Sequence, residues 1–166
     1  MTRLSDRTRG DTGKNLVGFS LGGVIYAINI FRVREIIRPL ATYRLPALPR
    51  SVMGVAHHRG EVVPVVDLLK RFGLPGDPEA ARNHWIIVGR GDRLVALSVE
   101  KITDVFGVSQ EQRREVPDMG EDEQARAVTA IYADRDGLVF VIDVDRVTAV
   151  TDEIDLGQVR QMLENR

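Results

Sequence analysis

His57 and His58 are the residues most suggestive of metal chemistry, because two imidazoles can share one ion. Adjacent residues of an extended strand point to opposite faces, so these two rings do not converge on one metal. Neither has a spaced His or carboxylate partner of the kind that zinc motifs show. His84 stands alone. Asp67 could serve as a general base, with His57 beside it in an enzyme reading. Its place before the short run LLKRF makes a helix N-cap the simpler role. Asp118, Glu121, Asp122 and Glu123 form an acidic run that reads as a solvated loop. The chain carries no P-loop, no GxGxxG and no nucleophile elbow; Gly22-Gly23 and Gly89-Arg90-Gly91 read as hairpin turns. Arg59, beside Gly60, and Glu35 remain as charged groups suited to binding. On local grounds each reads as a surface residue.

Arg59 belongs to the stretch GVAHHRGEVVPVVDLLKRFG, residues 54–73. Val52–His58 reads as a strand, Arg59-Gly60 as a tight turn, and Glu61–Val66 as a second, β-branched strand. Pro64 inside that strand predicts one unpaired side or a bulge. Asp67 then caps a helical turn that Gly73 ends. Upstream, Leu16–Leu21 and Val24–Ile30 form a hairpin around Gly22-Gly23. In FRVREII, residues 31–37, the apolar residues Val33, Ile36 and Ile37 fall at helical spacing, which predicts a short helix or turn stopped by Pro39. On a helix Val33 and Glu35 do not share a face, so one of them packs. Residues 39–50 hold three prolines and read as an extended connector, and residues 73–83 as a loop. Trp85–Val88 and Leu94–Val99 form another hairpin, followed by Lys101–Phe106. Trp85, the only tryptophan, is expected in the core or at a lobe interface. Residues 107–127 read as a long polar loop with one helical turn. Val128–Ala133 and Leu138–Ile142 form the last hairpin. Asp152–Arg166, with Ile154, Leu156, Val159, Met162 and Leu163, reads as a loosely amphipathic helix.

Composition leaves few function classes open. The chain has 166 residues, 43% hydrophobic and 28% charged, which suits one globular domain or two small lobes. A net charge of −1 and 5% aromatic content argue against a small-barrel nucleic-acid binder. The absence of cysteine removes disulfides and thiolate metal sites and suits a reducing cytoplasm. Residues 1–14 lack a signal-peptide core and read as a flexible N-terminus, and no apolar run reaches bilayer length.

The chain also repeats itself. Residues 27–36 lie over residues 96–105 without a gap. The 54–73 stretch lies over residues 128–147 with a one-residue slip between the strands, Gly60 falling on Gly137 and Asp67 on Asp143. Four hairpins arranged as two such pairs predict two small antiparallel barrels, with Asp67 and Asp143 as equivalent caps.

These stretches together resemble the CheW-like domain, a family of coupling proteins in bacterial chemosensory arrays. Four segments carry the resemblance: LVGFSLGGVIYAINIFRVREII, LPALPRSVMGVAHHRGEVVPVVDLLKRFGL, DRLVALSVEKITDV and GLVFVIDVDRV. The second is similar to the family signature P-x-x-x-x-G-V-x-N-x-R-G-x-x-x-P-V-x-D-L. The sequence departs from the family where Asn-Leu commonly precedes Arg-Gly, because His57-His58 stands there. It departs again where Glu100 replaces an Asp. The resemblance spans residues 15–150. It implies two five-stranded SH3-like antiparallel barrels with a groove between them, short helices and a C-terminal helix or tail over 151–166. The lobe boundary would lie near 73–84, with exchange of strands between lobes allowed.

By the same resemblance the protein is a non-catalytic adaptor with no cofactor, metal or catalytic residue. Its implied partners are the cytoplasmic tip of methyl-accepting chemoreceptors and the regulatory domain of the CheA histidine kinase, with self-association in rings as a further contact. It would sit in the cytoplasm, recruited to membrane-associated receptor arrays, with no membrane insertion. Val33, Glu35, Gly54 and Arg59 match positions tied to receptor binding. There Arg59 would meet receptor carboxylates or carbonyls, Glu35 a receptor cation, and Gly54 a closely approaching partner backbone. His57 and His58 border that surface and would tune specificity. Kinase contact is implied near the 22–25 and 89–93 turns. An adaptor of a non-flagellar pathway, for surface motility, pili or development, has the same sequence features; an adaptor fused to a receiver is not expected.

Overall fold

The computed structural model describes residues 15–75, 82–118, 120–121, 127–135 and 137–165. The flexible N-terminus, part of the 73–83 loop, and Asp122 and Glu123 of the acidic run lie outside the described residues. The strands are β1 (Asn15–Leu21), β2 (Val24–Asn29), β3 (Val33–Ile37), β4 (Val52–His58), β5 (Glu61–Asp67), β6 (His84–Arg90), β7 (Arg93–Val99), β8 (Lys101–Gly107), β9 (Arg113–Arg114), β10 (Val128–Asp134) and β11 (Gly137–Ile142). The helices are α1 (Leu68–Arg71), α2 (Val144–Thr148) and α3 (Leu156–Glu164).

The strands form two sheets, in the orders β8-β1-β2-β11-β10-β9 and β3-β6-β7-β5-β4. The repeat read from the sequence is visible in these orders. Laying β1, β2 and β3 on β6, β7 and β8, and β4 and β5 on β10 and β11, turns the second sheet into the first five strands of the first. Each sheet therefore takes strands from both halves of the chain: β3 pairs with β6, and β8 pairs with β1. The helix caps match too. Asp67 Oδ1 accepts from Leu69 N at 3.1 Å and Lys70 N at 3.4 Å; Asp143 Oδ1 accepts from Asp145 N at 2.9 Å and Arg146 N at 3.4 Å. Two details modify the expected antiparallel, five-stranded barrels. Each sheet holds one parallel pair, β2 with β11 and β5 with β7, and the two-residue β9 adds a sixth strand to the first.

Residues 31–37 are not a helix. A single 3-10 turn, Ile30–Arg32, uses the local helical tendency, capped where Asn29 Oδ1 accepts from Phe31 N at 2.9 Å. Val33–Ile37 then extends, and β3 lies along β6 with Val33 opposite Val88 and Ile37 opposite Trp85. Burial has a period of two: Val33, Glu35 and Ile37 are half-buried, and Arg34 and Ile36 are exposed. Three β-branched residues and an available partner strand outweigh an apolar spacing that also fits a helix.

Pro64 is accommodated as expected. Both backbone polar groups of Val55 bond to Tyr43, so the facing pair Val55–Pro64 needs no ladder bond from the proline. On the β7 side, pairing starts only at Val65.

Most strands bury both faces. One face of each sheet meets a shared central core with Phe19, Tyr26, Ile28, Ile86, Leu97 and Ile142. The opposite faces have cores of their own, around Ala27 and Tyr132 in the first sheet and Val63, Trp85 and Ala96 in the second. The C-terminal segment crosses between the lobes. α2 follows β11, while α3 and its lead-in pack Ile154 and Val159 onto Val52 and Val55 of β4 and Val62 of β5. α3 is shorter than the expected 152–166, because Asp155 caps it at Gln158 N, and Met162 is exposed. No helix among the described residues is long and apolar enough to cross a membrane.

Candidate functional site

The β4–β5 turn places Arg59 and Gly60 at its centre, with φ of 51° and 79°. Positive φ at both central residues is the primed turn that matches the twist of a hairpin. Glycine accepts this conformation readily; an arginine does so at a cost of about 1 kcal/mol. The residue least suited to the backbone is thus the one that carries the charge.

β3 and β4 are opposite ends of the second sheet, yet their side chains meet. Glu35 on β3 accepts from Arg59 through both oxygens, Nε to Oε2 at 3.1 Å and Nη2 to Oε1 at 3.0 Å. His58, the last residue of β4, brings Nε2 to 2.9 Å from Glu35 Oε2 and donates there in the tautomer protonated at Nε2. The sheet curls until its edges touch, and this three-residue clasp closes the seam. The Arg59 fork, then the His58 ring, hold the Glu35 carboxyl down at about 2, from an ordinary 4.5. The Arg59 side chain is 73% exposed, so the remaining guanidinium donors face solvent.

The other residues singled out from the sequence sit differently. Val33 shares the half-buried face of β3 with Glu35 and packs on the central core. His57 points to the face opposite His58 and lies edge-on to Tyr43, with centroids 6.0 Å apart. Gly54 is buried, and the backbone that approaches it is the chain's own. A Cβ there would collide with the Tyr43 carbonyl oxygen and lie 2.8 Å from Thr42 Cγ2. Within this chain, the close approach at Gly54 is made by Tyr43. Glu35 is not a vacant acceptor either, since its carboxylate is already bound within the chain. Asp67 is 3% exposed and engaged by its capped amides and by Arg82, which does not suit a general base. Among the described residues, no group of three or more His, Asp or Glu could hold a metal ion.

Two sets of arginines were not apparent from the sequence. Arg32 grips Asp145 at 2.7 and 3.2 Å, and Arg90 grips Asp152 at 2.6 Å through both oxygens. Both carboxyls are held below the usual range by those guanidinium bonds, and the pairs tie β6 and the turn before β3 to the α2 segment. Arg160 on α3 reaches back 100 residues to donate to Gly60 O at 2.7 Å.

Comparison with known proteins gives these positions a context. The sequence pattern of the CheW-like domain matches residues 15–151. A probable chemotaxis protein CheW of Rhizobium etli is 30% identical over 141 residues, covering 84% of this chain and 90% of that protein. Chemotaxis protein CheW of Helicobacter pylori is 28% identical over 131 residues, 79% of each chain. The crystal structure of the scaffolding protein TtCheW from Thermoanaerobacter tengcongensis superposes with a TM-score of 0.74 at 25% identity. It covers 85% of this chain and 91% of that one.

Proposed function

The chain belongs to the CheW-like domain family, and from that premise we propose that it is a non-catalytic adaptor that couples chemoreceptors to the CheA histidine kinase. The observation that supports this most is the clasp at the seam of the second lobe. Arg59 is held by the Glu35 carboxylate while it presents its outer donors at the tip of a hairpin. A guanidinium fixed in this way loses little side-chain freedom when it meets a carboxylate or carbonyl on a receptor. Val33, Glu35 and Arg59 would form the receptor-facing corner, His58 would set its shape, and Gly54 would support it from beneath. His57, on the other face, would border that surface.

The adaptor works by geometry. A receptor that moves its tip changes the docking of this corner, and the lobes, joined by the central core and the two arginine pairs, pass the change to the kinase contact. The free energy transferred is a coupling between two binding events. Kinase contact would fall near the 22–25 and 89–93 turns, which are equivalent in the repeat, and recruitment to membrane-associated arrays would follow from receptor binding.

Co-sedimentation with a receptor signalling fragment and the CheA regulatory domain tests the reading. Both should bind, and Arg59→Glu should weaken the receptor fragment more than the kinase domain. Binding to neither, or equal loss of both by a folded Arg59→Glu protein, would overturn it.

A further inference from the structure

The pseudo-symmetry of the fold has two exceptions among the described residues. β1–β5 with α1 have counterparts in β6–β8, β10 and β11 with α2, but the two-residue β9 and the helix α3 have none. That unmatched helix lies on the lobe that carries the clasp. Its lead-in is fixed where Arg93 Nη2 donates to the carbonyls of Thr151 at 3.0 Å and Ile154 at 3.2 Å. Ile154 and Val159 bury against β4 and β5, the two strands that the Arg59 turn joins. From this seat Arg160 sends its guanidinium to the carbonyl of Gly60, next to Arg59. A charge-assisted bond to that carbonyl restrains the Gly60–Glu61 peptide plane, the closing plane of the two-residue turn, and through Gly60 the backbone that aims the Arg59 side chain.

We propose that α3 is a positioning element for the partner-docking corner, and that Arg160 is its positioning residue, acting through the Gly60 carbonyl on Arg59. This rests on the reading of the corner as the receptor contact. Arg160 is exposed and buries no apolar surface that the fold needs, so its removal leaves the packing of Val159 intact. The turn then relies on its own backbone preference, which is poor at Arg59.

The test uses the full chain with Arg160→Ala, Arg160→Lys, and Gln161→Ala as an exposed control on the same helix. Arg59→Glu serves as the reference for the site. Affinities for a receptor signalling fragment and for the CheA regulatory domain are measured side by side, and the Glu35 carboxyl is titrated by NMR. Arg160→Ala should weaken receptor binding about three- to tenfold, the scale of one exposed charge-assisted hydrogen bond, with kinase binding unchanged. The Glu35 midpoint should rise as Arg59 spends less time on it. Arg160→Lys, which keeps the charge with its donors on one nitrogen, should recover part of both effects, and Gln161→Ala should change neither. Unchanged receptor binding in Arg160→Ala beside a weakened Arg59→Glu overturns the role of α3 alone. Unchanged binding in both removes the reading of the corner and the inference with it. Equal loss of both partners in Arg160→Ala, or a Glu35 midpoint that stays put, also overturns the positioning role.

Discussion

Replacing Gly54 by alanine separates a residue that touches a partner from one that supports the site. Gly54 has φ of 152°, and an added Cβ meets atoms that cannot swing away: the Tyr43 carbonyl carbon at 2.9 Å and its oxygen closer still. Relief requires Thr42 and Tyr43 to lift off β4. That breaks the bridge in which Tyr43 N donates to Val55 O at 2.7 Å and Val55 N to Tyr43 O at 2.9 Å. Two such bonds contribute about 0.5–1.5 kcal/mol each, and forcing the alanine into this backbone region adds about 1 kcal/mol. The expected loss is therefore about 2–4 kcal/mol, or about 5–15 °C in melting temperature for a chain of this size. Urea unfolding followed by Trp85 fluorescence reads it directly, since the one tryptophan is 2% exposed in the second lobe. Receptor binding by the folded fraction should fall only as far as displacement of β4 disturbs the clasp. A Gly54→Ala protein within about 0.5 kcal/mol of the parent, the scatter of neutral surface changes, that has nonetheless lost receptor binding would refute the argument. It would make Gly54 a direct contact.

Other perturbations follow from the same geometry. The Glu35 carboxyl is depressed, so its pairing with Arg59 and His58 persists well below the ordinary carboxylate range and is lost as pH falls through about 2. NMR titration should show that midpoint, and Arg59→Ala should raise it. Arg59→Asn suits the positive φ better than arginine, so the hairpin should unfold at equal or higher urea while receptor binding weakens. Asp143→Ala should cost about 1 kcal/mol as a lost cap. Asp67→Ala should cost more in the same unfolding assay, because it also breaks an ion pair with Arg82, whose side chain is 11% exposed.

The hairpins were legible because glycine turns and β-branched runs are local signals. The repeat was legible because it recurs in register. Of the short helix or turn expected at residues 31–37, only the 3-10 turn Ile30–Arg32 forms, and the rest is a strand for an instructive reason. As a strand, its half-buried face is Val33, Glu35 and Ile37, which places a carboxylate among apolar residues. That pattern becomes plausible only once Arg59 and His58, more than twenty residues away, are known to close over Glu35. Without them, Val33, Ile36 and Ile37 make the better apolar set and imply a helix. The same non-local term hid the Arg160 bond. The position of Gly54 in a signature was visible, but not that its neighbour would be Tyr43 of the same chain.

The two halves of the fold are equivalent in topology and differ in how their sheets end. In the first sheet the end beyond β10 is extended by β9, and Gln112 Nε2 donates to Ala133 O at 3.1 Å. Asp104, the counterpart of Glu35 on β8, turns its carboxylate onto its own neighbour, Val105 N, at 2.7 Å. Among the described residues, backbone and local contacts finish that lobe. In the second sheet the ends β3 and β4 are joined by charged side chains at a hairpin tip. Side-chain closure leaves hydrogen-bonding capacity pointing outward in a way that backbone closure does not, since the Arg59 fork spends only part of its donors on Glu35. On the proposed reading of the corner, the duplicated barrel offers one docking corner among the described residues, and the difference lies in which lobe ends its sheet with an ion pair.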